Sequence, residues 1–204
     1  MIRLPSQTVL KITAHLLAAL PFALMLKDTF SNALGADPVR SLTLRTGWWA
    51  LSFLLLSLAM TPLRKITGST AWIRYRRMLG LWAFVLACIH LNIYLILDLQ
   101  GRWAQIFSDI AKRPYITVGF IAWLLLVPLA LTSNAAAMRK LGRRWRRLHK
   151  MVYLIAPLGV LHFLWLVKKD QTEPLVFAAV LAVLLCARLL KNKQRLPTNS
   201  VSTD

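Results

Sequence analysis

Acidic residues are scarce in this chain. Asp and Glu number 7 against 26 Lys and Arg, and charged residues of both signs reach only 16%. Soluble domains carry about 25% charged and about 45–50% apolar residues, whereas 57% of this chain is apolar. Its 204 residues therefore hold too little polar surface to cover a water-soluble globule. Glycine is also sparse: the 8 glycines are scattered, with no Gly-x-Gly-x-x-Gly after a strand and no phosphate loop. A Rossmann unit for NAD(P)H is thereby excluded. No Ser-His-Asp set and no His-Glu-x-x-His helix is present. The 2 cysteines, Cys88 and Cys186, fall inside apolar runs and read as small fillers rather than a disulfide. With 8 Trp and 8 Phe, the composition is the opposite of a disordered chain.

What the sequence does have is long apolar runs joined by short polar segments, at roughly 12–26, 47–63, 78–97, 114–132, 151–167 and 174–190. Most approach the length of about 17–25 residues that crosses a bilayer as a helix. The expected fold is an all-α bundle of six transmembrane helices over 1–190, with 191–204 as a disordered cytoplasmic tail. The first run is the shortest, bracketed by Lys11 and Lys27, whose stems must reach toward headgroups. No small-residue cleavage site follows it, so it reads as a retained span. No internal repeat is evident.

Basic residues concentrate in alternate joints: Arg64, Lys65, Arg74, Arg76 and Arg77 between runs two and three, and Arg139 to Lys150 between runs four and five. All acids but Asp204 lie in the other joints. By the positive-inside rule both termini face the cytoplasm. The net charge of +19 is thus mostly topological, and nucleic acid is excluded as a partner. Trp48, Trp49, Trp103, Tyr115, Trp145 and Trp165 fall near run ends, as an aromatic belt would.

Four histidines carry the chemistry: His15, His90, His149 and His162. Counting back from Asp98, His90 lies about 12 Å below the outer end of run three, and counting back from Lys168, His162 lies about 9 Å below that of run five. Two neutral imidazoles at one depth, on parallel helices and with no Cys or carboxylate beside them, suit the two axial positions of haem iron. Zinc would need four ligands at one level. His149, about 20 Å deeper, is placed for a second haem. On an ideal helix its ring points about 140° away from that of His162, and the mirror position on run three is Arg77. His15 is the remaining imidazole that could face it. The clusters Arg74, Arg76, Arg77 and Arg143-Arg144-Trp145-Arg146-Arg147 are topogenic, and also suit haem propionates or a flavin phosphate.

Several blocks carry a family resemblance: Gly35-Ala36-Asp37-Pro38-Val39, Thr61-Pro62-Leu63-Arg64, Arg76-Arg77-Met78-Leu79-Gly80-Leu81, Lys112-Arg113-Pro114-Tyr115-Ile116-Thr117, Leu131-Thr132-Ser133, Leu141-Gly142-Arg143-Arg144-Trp145 and Leu148-His149. Together they resemble the bacterial MsrQ (YedZ) family, in the ferric-reductase-like transmembrane group. The resemblance implies an inner-membrane subunit binding b-type haem, one or two, and FMN. It implies electron delivery to MsrP, a periplasmic molybdopterin enzyme that repairs oxidised methionine in proteins. A cytoplasmic flavin reductase or a quinol would be the donor. His90, His149 and His162 match the family's haem histidines, and Arg76 and Arg77 are candidates for FMN or a haem propionate. Two other expectations fit the composition: a stand-alone transmembrane ferric reductase, and a cofactor-free scaffold or transporter.

Overall fold

A computed structural model describes residues 7–193, apart from the side chains at 103, 105 and 189–193. Every regular element among the described residues is helical. The chain runs through α1 (Gln7–Phe30), α2 (Pro38–Thr67), α3 (Ala71–Asn92), a π-helical turn (Ile93–Asp98), α4 (Trp103–Lys112), α5 (Pro114–Leu131), α6 (Ala135–Leu141), α7 (Arg143–Leu148), a 3-10 turn (His149–Met151), α8 (Val152–Leu166) and α9 (Thr172–Lys193). Residues 194–204, most of the expected tail, lie outside those described.

Local chemistry sets the helix ends. Asp37 caps α2 by accepting from the Arg40 amide at 3.0 Å, with Pro38 in the first turn. Gly68 ends α2 in the left-handed conformation at φ 71°, which glycine adopts without Cβ strain. Pro114 opens α5, as expected from the sequence, and Asn134 caps α6 through the Ala137 amide at 2.8 Å. The short run between Lys11 and Lys27 belongs to a helix of 24 residues, so its charged flanks extend past the apolar stretch rather than limiting it.

Among the described residues, five segments are long and apolar enough to cross a membrane: Gln7–Phe30, Pro38–Thr67, Ala71–Asp98, Pro114–Leu131 and Arg143–Leu166. α9 is a further 22-residue helix against α2 and α8. Leu16, Leu17, Leu131 and Val183 each expose about two-thirds of their surface. Such apolar exposure is what a lipid-facing wall requires and a soluble protein avoids.

Two antiparallel hairpins form the centre: α2 packs along α3, and α5 along α8. Leu58, Leu86, Ile155 and Ala156 are fully buried between them. α1 lies at the edge, burying only Ala18, Pro21 and Met25. One end of the bundle carries the joints with Asp28, Asp37, Asp98 and Asp109; the other carries Arg74 to Arg77 and Arg139 to Arg147. These are called below the Asp-bearing and Arg-rich ends.

Candidate functional site

His90 stands near the end of α3 and His162 near the end of α8, both toward the Asp-bearing end. Their ring centroids are 6.1 Å apart and their planes cross at 87°. The His90 Nδ1 lies 2.9 Å from the Thr43 carbonyl and 3.3 Å from Thr46 Oγ1. The Thr46 hydroxyl donates to the Leu42 carbonyl at 2.7 Å, so toward His90 it can only accept. The His162 Nδ1 lies 2.6 Å from the Tyr115 carbonyl. Because carbonyls accept and never donate, each Nδ1 carries the proton and each Nε2 keeps its lone pair.

That arrangement fits haem. A metal–imidazole bond is about 2 Å long, so two rings on opposite sides of one metal have centroids roughly 6 Å apart. A ligating histidine normally donates its other N–H to a carbonyl, which fixes tautomer and orientation, and both histidines here do so. The cavity between the hairpins is walled by apolar side chains, among them Leu51, Leu54, Ala87, Leu126, Ile155 and Phe163. Among the described residues, no group of three or more His, Cys, Asp or Glu could hold a bare metal ion. The pair expected from depth in the sequence is therefore brought together, on the expected helices.

At its Asp-bearing mouth the cavity is lined by Tyr94, Asp98 and Arg113. Arg113 lies 3.7 Å from Asp109, and the Tyr94 hydroxyl donates to the same carboxylate at 3.3 Å. The Tyr115 side chain, and then Asp109, raise the Arg113 pKa, so it is a fixed cation. It is the cation placed to meet a carboxylate group at this mouth. The sequence names Arg113 only within the block Lys112-Arg113-Pro114-Tyr115-Ile116-Thr117.

Arg76 and Arg77 lie toward the opposite end. The Arg76 carbonyl accepts from Ser57 at 3.0 Å, and its guanidinium acts electrostatically on His149 and Arg188. Arg77 points to Met138 Sδ at 3.8 Å and lines a hollow with Lys11, His15, Arg74 and Tyr75. His149 stacks on Trp145 with centroids 4.0 Å apart, and its Nε2 lies 3.0 Å from Thr132 Oγ1. The Thr132 hydroxyl itself donates to the Pro128 carbonyl at 2.6 Å, so His149 donates to Thr132. His15 is exposed on α1 and accepts from Trp82 Nε1 at 3.2 Å. No contact among the described residues joins His15 to His149.

Sequence reasoning missed the parts that hold the rings: the Thr43 and Tyr115 carbonyls, Thr46, and the two glycines facing the imidazoles, Gly47 and Gly119. It also missed Arg188. That guanidinium bonds the Tyr153 hydroxyl and the Leu58 carbonyl, and sits 4.9 Å over the Tyr153 ring.

Residues 46–160 match the family model described as "Ferric reductase like transmembrane component". Three similar proteins are named protein-methionine-sulfoxide reductase heme-binding subunit MsrQ. The one from Xanthomonas oryzae pv. oryzae (strain MAFF 311018) is 55% identical over 192 residues, covering 91% of this chain and 88% of the relative. The one from Xanthomonas euvesicatoria pv. vesicatoria (strain 85-10) is 61% identical over 161 residues, covering 79% and 74%. The one from Herminiimonas arsenicoxydans is 42% identical over 199 residues, covering 96% and 91%.

Proposed function

Because the chain belongs to the ferric-reductase-like transmembrane family, and within it to the MsrQ subunits, we propose that it is the haem-binding electron conduit of a methionine sulfoxide reductase system. The observation that carries this reading is the facing pair His90 and His162, with both Nδ1 atoms bonded to carbonyls and both Nε2 atoms left to ligate.

Haem held there would supply a one-electron carrier within the bilayer. The protein's part is positioning. His90 and His162 would hold the haem through their Nε2 atoms, and haem so held would carry electrons rather than activate oxygen. The Thr43 and Tyr115 carbonyls hold each ring in the Nδ1–H tautomer. The apolar walls would exclude water, and Arg113 at the Asp-bearing mouth would meet a propionate carboxylate. The methionine chemistry belongs to the partner, an MsrP-like periplasmic molybdopterin reductase.

Topology supplies the direction. The proposal has six spans, α9 being the sixth, both termini in the cytoplasm and the chain in the bacterial inner membrane. Electrons then come from a flavin reductase or a quinol at the Arg-rich face and leave at the Asp-bearing face. FMN, implied by the family, is assigned to the hollow of Lys11, Arg74, Tyr75 and Arg77, whose cations suit its phosphate. His149 is proposed as the ligand of a second, inner haem. Its depth and the surrounding arginines support that role, but no facing histidine does among the described residues. No step is therefore routed through it.

The deciding experiment is an absorption spectrum of the detergent-purified chain, oxidised and dithionite-reduced, with haem and flavin counted per chain. Resolved reduced α and β bands of low-spin b-type haem are expected, reoxidised on adding a periplasmic methionine sulfoxide reductase with its substrate. A colourless, folded protein would leave the scaffold or transporter. Normal bands discharged by ferric ions but not by the reductase would favour a stand-alone ferric reductase.

A further inference from the structure

Each ring of the histidine pair is seated on a neighbouring helix in the same way. The His90 Nδ1 bonds the carbonyl of Thr43, 47 residues earlier, and the His162 Nδ1 bonds that of Tyr115, also 47 residues earlier. Four residues beyond each carbonyl stands a glycine, Gly47 on α2 and Gly119 on α5. A Cβ at Gly47 would lie 3.0 Å from His90 Cε1 and 3.1 Å from its Nδ1; one at Gly119 would lie 2.6 Å from His162 Nδ1 and 2.8 Å from its Cε1. The set Thr43, Gly47, His90 thus recurs as Tyr115, Gly119, His162 after a shift of 72 positions. No internal repeat is evident in the sequence because only these few positions, spread over two helices each, carry it.

The physical reason for glycine is local. On a helix the carbonyl of residue i already accepts from the amide of i+4, and the Cβ at i+4 leans back toward the N-terminus, over that carbonyl. Any side chain there covers the second lone pair. Glycine alone leaves the carbonyl open to a ring arriving from the next helix, although glycine inside a helix is unfavourable relative to alanine. We infer that Gly47 and Gly119 are equivalent positioning residues, each forming with the carbonyl four residues earlier a slot that fixes the rotation of one imidazole. This inference rests on the reading of His90 and His162 as the ligand pair. It deepens that reading by naming what holds the ligands still.

The test is a pair of double-mutant cycles on full-length chain purified from haem-limited cells, read by thermal midpoint in detergent. Gly119→Ala alone should lower the midpoint by several degrees. In a His162→Ala background, with no ring to meet, the same change should leave the midpoint unchanged or raise it. Gly47→Ala should behave alike with His90→Ala. Recovery of folded double variants where a single glycine variant cannot be recovered would support the slots by the same logic. On haem-loaded protein, each glycine variant should shift the reduced α band and the midpoint potential. Gly80→Ala, whose Cβ meets only Ser57 Oγ at an ordinary 3.5 Å, should do neither. An equal loss of stability with and without the facing histidine, in a wild type that binds haem normally, would overturn the slots. Coupling retained in a chain that never binds haem would overturn the proposed function and leave the slots standing.

Discussion

Toward the Asp-bearing end, the α2–α3 hairpin presents to the cavity what the α5–α8 hairpin presents: an open carbonyl, a glycine and an imidazole with a free Nε2. Toward the Arg-rich end, the same shift of 72 positions sets Arg77 against His149 and Met60 against Thr132. There the imidazole is already engaged, donating to the Thr132 hydroxyl and stacked on Trp145, with the Arg76 cation nearby. One level is a matched pair of donors; the other is a lone imidazole among cations. The comparison teaches that a ligand pair is recognised less by the histidines than by what holds the far side of each ring.

The largest expected effect comes from removing either member of the pair. His90→Ala or His162→Ala should abolish the haem at this level, leaving in a folded protein at most the one proposed at His149, as counted by pyridine haemochrome assay. One axial ligand alone does not reproduce the bis-histidine arrangement. Normal haem content in either variant would remove that residue from the site. An intermediate effect belongs to His149→Ala. It should leave the spectrum of the His90–His162 haem intact and lower the haem count from two per chain to one. A wild type holding a single haem, retained in His149→Ala, would reduce His149 to the partner of Thr132. The smallest effect is that of Arg113→Ala, because the side chain is half exposed and its charge is screened. Loss of a cation beside the mouth should lower the midpoint potential by tens of millivolts, with haem occupancy little changed, and potentiometric titration would read it. An unchanged potential would place Arg113 with Asp109 alone.

Much of this was legible in the sequence because helix rise is regular. Counting from Asp98 and Lys168 was enough to put His90 and His162 at one depth, and Pro114 marked the start of α5. The seating of the rings was not legible. It depends on which helices are neighbours, and a 47-residue separation says nothing until α2 lies along α3 and α5 along α8. Arg113 and Arg188 do not stand out in the sequence, because a cation near a run end looks topogenic whether or not its head folds inward. Trp145 was counted with the aromatic belt for the same reason, although its ring stacks on His149 and its Nε1 donates to the Thr132 carbonyl at 2.9 Å.

The crossing of the two imidazole planes at 87° has a consequence in the magnetism of any iron between them. Parallel rings would donate into the same member of the two iron d orbitals that reach out of the porphyrin plane, and would separate the pair in energy. Crossed rings donate into one each and leave the two nearly degenerate. A ferric iron held there would then keep much of its orbital motion, and its resonance would be strongly anisotropic, concentrated at low field. The way two hairpins lean on one another would thereby be written in a paramagnetic spectrum.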